Sequence, residues 1–168
     1  MQFAVPLRTG SLPHLPEKTA PNPGKHFAAT DRLLDTAADG PLWLKDPALA
    51  NLVAGALEQG EREYRLYRLF AWVVMPNHVH VVMEPFRPLP EIMRWIKGST
   101  ARSANLLLQR TGKPFWQYET YDHLIRTTAE LQRVIQYIER NPVRAGLASD
   151  IESWPWSSAG RRPTPHVI

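Results

Sequence analysis

His78 and His80 stand two residues apart in the stretch from Trp72 to Met83, where two apolar runs are separated by Met75-Pro76-Asn77. Strand geometry puts both imidazoles on one face and turns Val79 and Val81 to the other. A buried imidazole needs partners for both ring nitrogens. A divalent metal satisfies two neighbouring rings at once, and so does a phosphate once the rings are charged. Two histidines are nevertheless one ligand short of a site. By spacing alone, a pair of half-exposed strand histidines with ordinary hydrogen bonds is the plainer reading. Tyr137 and Asn141 lie four apart and share a helix flank. On its own, Tyr137 reads as a core-edge tyrosine with a locally bonded hydroxyl. Tyr118, Tyr121 and His123 offer further hydroxyl and imidazole groups within an aromatic stretch, Phe115 to His123, that either packs its loop or presents a base with a stacking surface.

The elements that must position these groups follow from the pattern around them. Gln2–Leu7 is a short apolar run whose Pro6 confines it to an edge, an end or a bulge. Residues 11–40 are rich in Gly, Pro, Asn and Ala and form a partly flexible insert, with one helical turn at Leu33-Leu34. Asp46-Pro47 opens a helix that Gly60 stops. Tyr64–Met75 and His78–Glu84 are strands that pair antiparallel, because the turn between them is too short for a crossover. A helix follows from about Leu89 to Gln109, its stripe formed by Leu89, Ile92, Met93, Ile96, Thr100, Ala104 and Leu107. Arg94, Lys97 and Arg102 lie off that stripe, either as phosphate contacts or as solvated surface. Thr127–Glu130 fits a capping box for a last helix, with a stripe of Leu131, Val134, Ile135 and Ile138, ended by Asn141-Pro142. Trp116, Trp154 and Trp156 read as core and tail anchors. The expected architecture is α+β, a small antiparallel sheet with helices packed on it. One domain spans residues 1–158, and a Pro-rich tail at 159–168 frays.

Composition narrows the partners. The 168 residues carry 20 Lys and Arg against 16 Asp and Glu, a net charge of +4, which is compatible with a nucleic acid without requiring one. With no cysteine, disulfides and thiolate–metal sites are excluded. No apolar run has signal-peptide or membrane-spanning character, so a cytoplasmic protein with no membrane partner is expected. Thr111-Gly112-Lys113-Pro114 is too short to be a nucleotide-binding loop, so no nucleotide cofactor is expected.

Met75-Pro76-Asn77-His78-Val79-His80 and Tyr137-Ile138-Glu139-Arg140-Asn141-Pro142-Val143-Arg144-Ala145-Gly146-Leu147 together resemble the REP-associated tyrosine transposases, of the single-tyrosine HUH superfamily. Ile92-Met93, Lys97-Gly98, Phe115-Trp116-Gln117, Tyr121-Asp122-His123 and Trp154–Ser158 add to the likeness, which runs from about Leu42 to Ser158. The resemblance implies a ferredoxin-like, HUH-type sheet with a C-terminal helix bearing the nucleophile. It implies that His78, His80 and Asn141 hold Mg²⁺ or Mn²⁺ and that Tyr137 attacks the scissile phosphate. The implied activity is nicking and strand transfer of single-stranded DNA through a 5′-phosphotyrosine, on hairpin-forming repeats. His123 is a candidate helper, and Arg94, Lys97, Arg102 and Arg144 are candidate DNA contacts. A monomer with the tyrosine acting in cis and a homodimer are both compatible.

Two departures stand out. The segment ahead of Phe3 is shorter than the family pattern and Pro6 sits where a strand residue is expected, so a start lying upstream would leave the first strand incomplete here; residues 11–40 match poorly. Two rival readings remain: a single-stranded or hairpin DNA-binding protein that has lost catalysis, and a metal-dependent phosphodiester hydrolase using water.

Overall fold

The computed structural model describes residues 2–6, 41–117 and 121–161, and the insert at 11–40 lies outside them. Asp46 accepts a hydrogen bond from the Ala48 N–H at 2.8 Å and Pro47 occupies the first turn, so α1 (Pro47–Arg62) begins at the expected cap. It does not stop at Gly60. That glycine is buried against the ring of Tyr67, where its lack of a side chain permits close approach, and the helix continues to Arg62.

β2 (Tyr67–Val74) and β3 (Val79–Pro85) pair antiparallel, and the turn between them closes with Met75 N–H donating to the His78 carbonyl at 2.8 Å. α2 (Leu89–Leu107) leads towards β4 (Tyr121–Ile125), and α3 (Thr128–Arg144) follows it. β1 (Gln2–Pro6) sits inside the sheet, whose order is β2-β3-β1-β4. The class is α+β, as expected, with a reversal at β2–β3. β1, however, runs parallel to both β3 and β4, so the sheet is mixed rather than antiparallel throughout. The β2–β3 turn forces its reversal, whereas the stretch from β1 to β2 is long enough to permit either direction. Pro6 is tolerated because it is the last residue of β1. β4 occupies a segment that reads as a polar, aromatic loop. Five residues with Asp and His among them carry little strand signal of their own, and pairing with a central strand overrides it.

The sheet separates two apolar layers. On one face Trp72, Val74, Val79, Val81 and Met83 pack with Leu49, Val53 and Leu57 of α1 and with Ile92, Ile96 and Ala104 of α2. On the other, Ala71, Val73, Met75, Val82 and Ile125 meet Ile138 of α3, flanked by Leu131, Val134 and Ile135. Leu107 departs from the expected α2 stripe and is 58% exposed. At that end the inward side has moved to Ala101, Asn105 and Leu108, and Asn105 Nδ2 holds the Lys113 carbonyl at 2.7 Å.

α3 starts at the expected cap, with Thr127 Oγ1 accepting from the Glu130 N–H at 3.1 Å. Its end lies beyond Asn141-Pro142. Pro142 deprives the Ile138 carbonyl of a donor, but the Ala145 N–H still reaches the Asn141 carbonyl at 2.9 Å, and the helix closes at Arg144 with Gly146 at φ 70°. Past it, the chain returns to the outer edge of β2. Val74 N–H donates to the Trp156 carbonyl at 2.8 Å, and Ser158 N–H to the Trp72 carbonyl at 2.8 Å. Ala159 is buried, and Arg161 bonds the Pro155 carbonyl and pairs with Glu58 at 3.2 Å, while residues 162–168 of the Pro-rich tail lie outside the described residues.

Candidate metal and nucleophile site

β3 begins at Val79, so His78 occupies the last position of the turn and His80 the second of the strand. Both are buried, His80 completely. His80 is opposite Val73, and Ala71 is opposite Val82. These residues belong to the layer under α3, which places the histidine pair on the α3 face. The rings meet edge to face with centroids 4.6 Å apart, and their Nε2 atoms are 2.9 Å apart. Asn77, which the sequence suggests only as a turn residue, has its Oδ1 2.6 Å from His78 Nδ1. An amide oxygen can only accept, so His78 carries its proton on Nδ1 and turns the Nε2 lone pair towards His80. An asparagine directly ahead of a candidate ligand is the signal that could have pointed to this role.

α3 brings the remaining groups to the same face. Tyr137 is half-buried against the layer containing Val73 and Ile138, and the Arg144 guanidinium lies 4.6 Å from its ring centroid. One turn on from Tyr137, Asn141 is fully buried rather than on the flank of the stripe. Neither its amide oxygen nor its amide nitrogen has a hydrogen-bond partner among the described residues. A buried amide left so costs roughly 1–3 kcal/mol per group, which marks it for a ligand that completes it. Glu139 is also buried, and Ser158 donates to its Oε1 at 3.4 Å, tying α3 to the segment along β2.

The donors suit a divalent ion. Two nitrogens about 2.1 Å from one octahedral centre and at right angles lie about 3.0 Å apart, close to the Nε2–Nε2 separation. Among the described residues no third His, Cys, Asp or Glu joins them. The Asn141 oxygen is the available protein donor on the α3 side.

The basic candidates of α2 lie elsewhere. Arg94, Lys97 and Arg102 are on α2, against the opposite face of the sheet. Of the four basic residues, only Arg144 is beside Tyr137. His123 is on β4, paired with Ala4 of β1. Tyr118 lies outside the described residues. Among those residues, no helix is long and apolar enough to cross a membrane.

An α+β sheet that presents paired histidines to a tyrosine-bearing helix is an HUH-type arrangement. Residues 49–141, more than half of the chain, match the family described as transposase IS200 like, and the chain belongs to that family. It is 32% identical over 104 residues to a REP-associated tyrosine transposase of Escherichia coli K12, covering 58% of this chain and 57% of that protein. It is 26% identical over 114 residues to a putative REP-associated tyrosine transposase of Haemophilus influenzae, covering 59% and 62%. The chain therefore spans about three-fifths of the length of these curated relatives. A solved REP-associated tyrosine transposase bound to a REP hairpin superposes with a TM-score of 0.56 at 27% identity, covering 68% of this chain and 67% of that one.

Proposed function

We propose that this protein nicks single-stranded DNA at hairpin-forming repeats and rejoins strands through a covalent 5′-phosphotyrosine at Tyr137. The observation that carries the reading is the shared face: the histidine pair and α3 meet there, and α3 brings a buried Asn141 amide with no partner among the described residues. The names of the relatives support the same reading, and the REP hairpin of the solved relative supports the substrate class.

His78, His80 and Asn141 would hold the metal, Mg²⁺ or Mn²⁺. Imidazole donors suit Mn²⁺ better and Mg²⁺ prefers oxygen. When bound, it polarises the scissile phosphate and neutralises charge growing on its oxygens. Asn77 keeps His78 in the tautomer that offers Nε2 to the site. Tyr137 Oη attacks phosphorus, the bond to the 3′-oxygen breaks, and the strand is left with a free 3′-OH while its 5′-phosphate is attached to the tyrosine. The phenol proton is lost and the departing oxygen gains one; His123 is the candidate helper for that transfer. Arg144, against the Tyr137 ring, holds the phosphate, and Arg94, Lys97 and Arg102 contact DNA away from the scissile bond. The bond energy kept in the phosphotyrosine allows rejoining without a nucleotide cofactor. The protein works on DNA in the cytoplasm, as a monomer or homodimer.

The test incubates the protein with a labelled hairpin oligonucleotide and Mn²⁺ or Mg²⁺, followed by denaturing electrophoresis. A protein-linked 5′ label that disappears in Tyr137→Phe is expected. Cleavage that persists in Tyr137→Phe would instead identify a hydrolase using water. Hairpin binding without cleavage in either protein would identify a binding module.

A further inference from the structure

α3 packs on the sheet through Leu131, Val134, Ile135 and Ile138. Apolar packing is non-directional, so it fixes the distance of a helix from a sheet better than its rotation. Glu139, two residues after Tyr137 on the same helix, is only 6% exposed. Carboxylates are rarely taken so far out of water unless donors meet them. Ser158 is one such donor, its Oγ–H reaching Glu139 Oε1 at 3.4 Å.

Ser158 is itself clamped to one residue of β2. Its N–H donates to the Trp72 carbonyl at 2.8 Å, and its Oγ accepts from the Trp72 N–H at 3.1 Å. With a lone pair turned to Trp72, the hydroxyl keeps its one proton for the Glu139 carboxylate. Next to it, Ser157 bridges Val73, and Val73 is opposite His80 in the β2–β3 pairing. Trp154 packs into the layer that also holds Tyr137 and donates Nε1–H to the Val74 carbonyl at 3.0 Å. A polar connection therefore runs from α3, through Glu139 and Ser158, to the stretch of β2 that pairs with the histidine strand.

We infer that Glu139 and Ser158 are positioning residues for the nicking reaction: their link to the Trp72 backbone sets the rotation of α3, and with it the approach of the Tyr137 hydroxyl to a phosphate at the histidine face. The inference rests on the reading that Tyr137 is the nucleophile. A hydrogen bond weakens steeply as it bends, so this link resists a rotation that the apolar layer tolerates. Attack on phosphorus needs the reacting atoms about 3–3.5 Å apart, and a misplacement of about 1 Å costs on the order of 100-fold in rate.

The experiment measures single-turnover formation of the protein–DNA adduct on a labelled hairpin oligonucleotide with Mn²⁺, over a range of protein concentrations. The parent is compared with Ser158→Ala, Ser158→Thr, Glu139→Ala and Glu139→Gln. The maximal rate is expected to fall about 10–100-fold in the alanine variants, while the half-saturating concentration and the rise in Tm given by Mn²⁺ stay at parental values. Threonine retains the hydroxyl and glutamine an acceptor oxygen, so both should keep most of the rate. The double alanine variant should be no slower than either single one, because both break one link. If Ser158→Ala fails to fold, Glu139→Ala set against Glu139→Gln reads the link from the helix side. Parental rates in the folded alanine variants overturn the inference. So do losses that threonine and glutamine share, or losses that fall on the half-saturating concentration and Tm instead of the maximal rate. In those cases the parent still forms adduct and the nicking reading stands. A parent without adduct, or cleavage that persists in Tyr137→Phe, removes that reading and the inference with it.

Discussion

Two imidazole nitrogens held 2.9 Å apart inside an apolar layer are a poor use of space unless something shares them. One ring donates to the other through Nε2, and His78 is oriented by Asn77. Saturating Mn²⁺ is expected to stabilise the fold. At about one hundred times the dissociation constant the gain is about 2.7 kcal/mol, or roughly 5–10 °C in Tm for a chain of this size. Asn141→Ala should shrink that shift, since a donor is removed, and calorimetric melts with and without Mn²⁺ measure it. An unchanged shift would take Asn141 out of the ligand set. Tyr67 gives a second prediction at this scale. Its buried hydroxyl donates to the Leu57 carbonyl at 2.9 Å, and burial, with the Glu61 carboxylate, pushes the phenol well above its ordinary 10.0. Above pH 10 the unfolded chain loses this proton and the folded one keeps it, so stability is full below pH 10 and falls as pH rises further. Urea unfolding at pH 8 and pH 11 should show a smaller alkaline loss in Tyr67→Phe than in the parent. Equal losses would mean that Tyr67 does not govern the alkaline limb.

Helix ends and contacts obey local rules until a neighbouring element intervenes. The caps at Asp46 and Thr127 lie where the side chains call for them, because capping needs only residues two or three apart. Gly60 and Pro142 do not terminate their helices, because each is decided by what lies beside it. For Gly60 the neighbour is Tyr67: an added Cβ would overlap the hydroxyl and stand 2.6 Å from Cζ. Alanine gains about 1 kcal/mol of helix propensity there, but overpacking a filled core costs roughly 1–3 kcal/mol and occasionally more. Gly60→Ala is therefore expected to be destabilising in chemical denaturation. Tyr67→Phe should not rescue it fully, because the ring carbon remains. A neutral or stabilising Gly60→Ala would show that α1 and β2 can separate at little cost.

Across the whole molecule, the sheet gives one layer to scaffolding and the other to the candidate chemistry. α1 and α2 cover the first layer, and α3 covers the second. The segment Trp154–Arg161 closes the outer edge of β2 with backbone hydrogen bonds and with Trp154 Nε1–H donating to the Val74 carbonyl at 3.0 Å. An open strand edge invites pairing with other chains. Truncation before Ser153 is expected to remove several hydrogen bonds worth about 0.5–1.5 kcal/mol each, together with the burial of two tryptophans. Tm should drop by on the order of 10 °C, with light scattering rising on heating. A truncated protein that melts with the parent would make the segment a passive cover.

The sequence by itself determined the α+β class, the β2–β3 reversal, the helix starts and the motif residues, because these depend on periodicity, short turns and caps between near neighbours. It also carried the family likeness through MPNHVH and the Tyr137–Leu147 block. Tertiary structure decided that β1 runs parallel, that Tyr121–Ile125 is a strand, that Asn141 is buried and that the basic residues of α2 lie away from Arg144. Those outcomes depend on pairings and burial between segments far apart in the chain, where local preference is weak and packing settles direction and face. His78 and His80 illustrate both levels. Their spacing placed them together, and only the packing of α3 on that side of the sheet brought Tyr137 against the same layer.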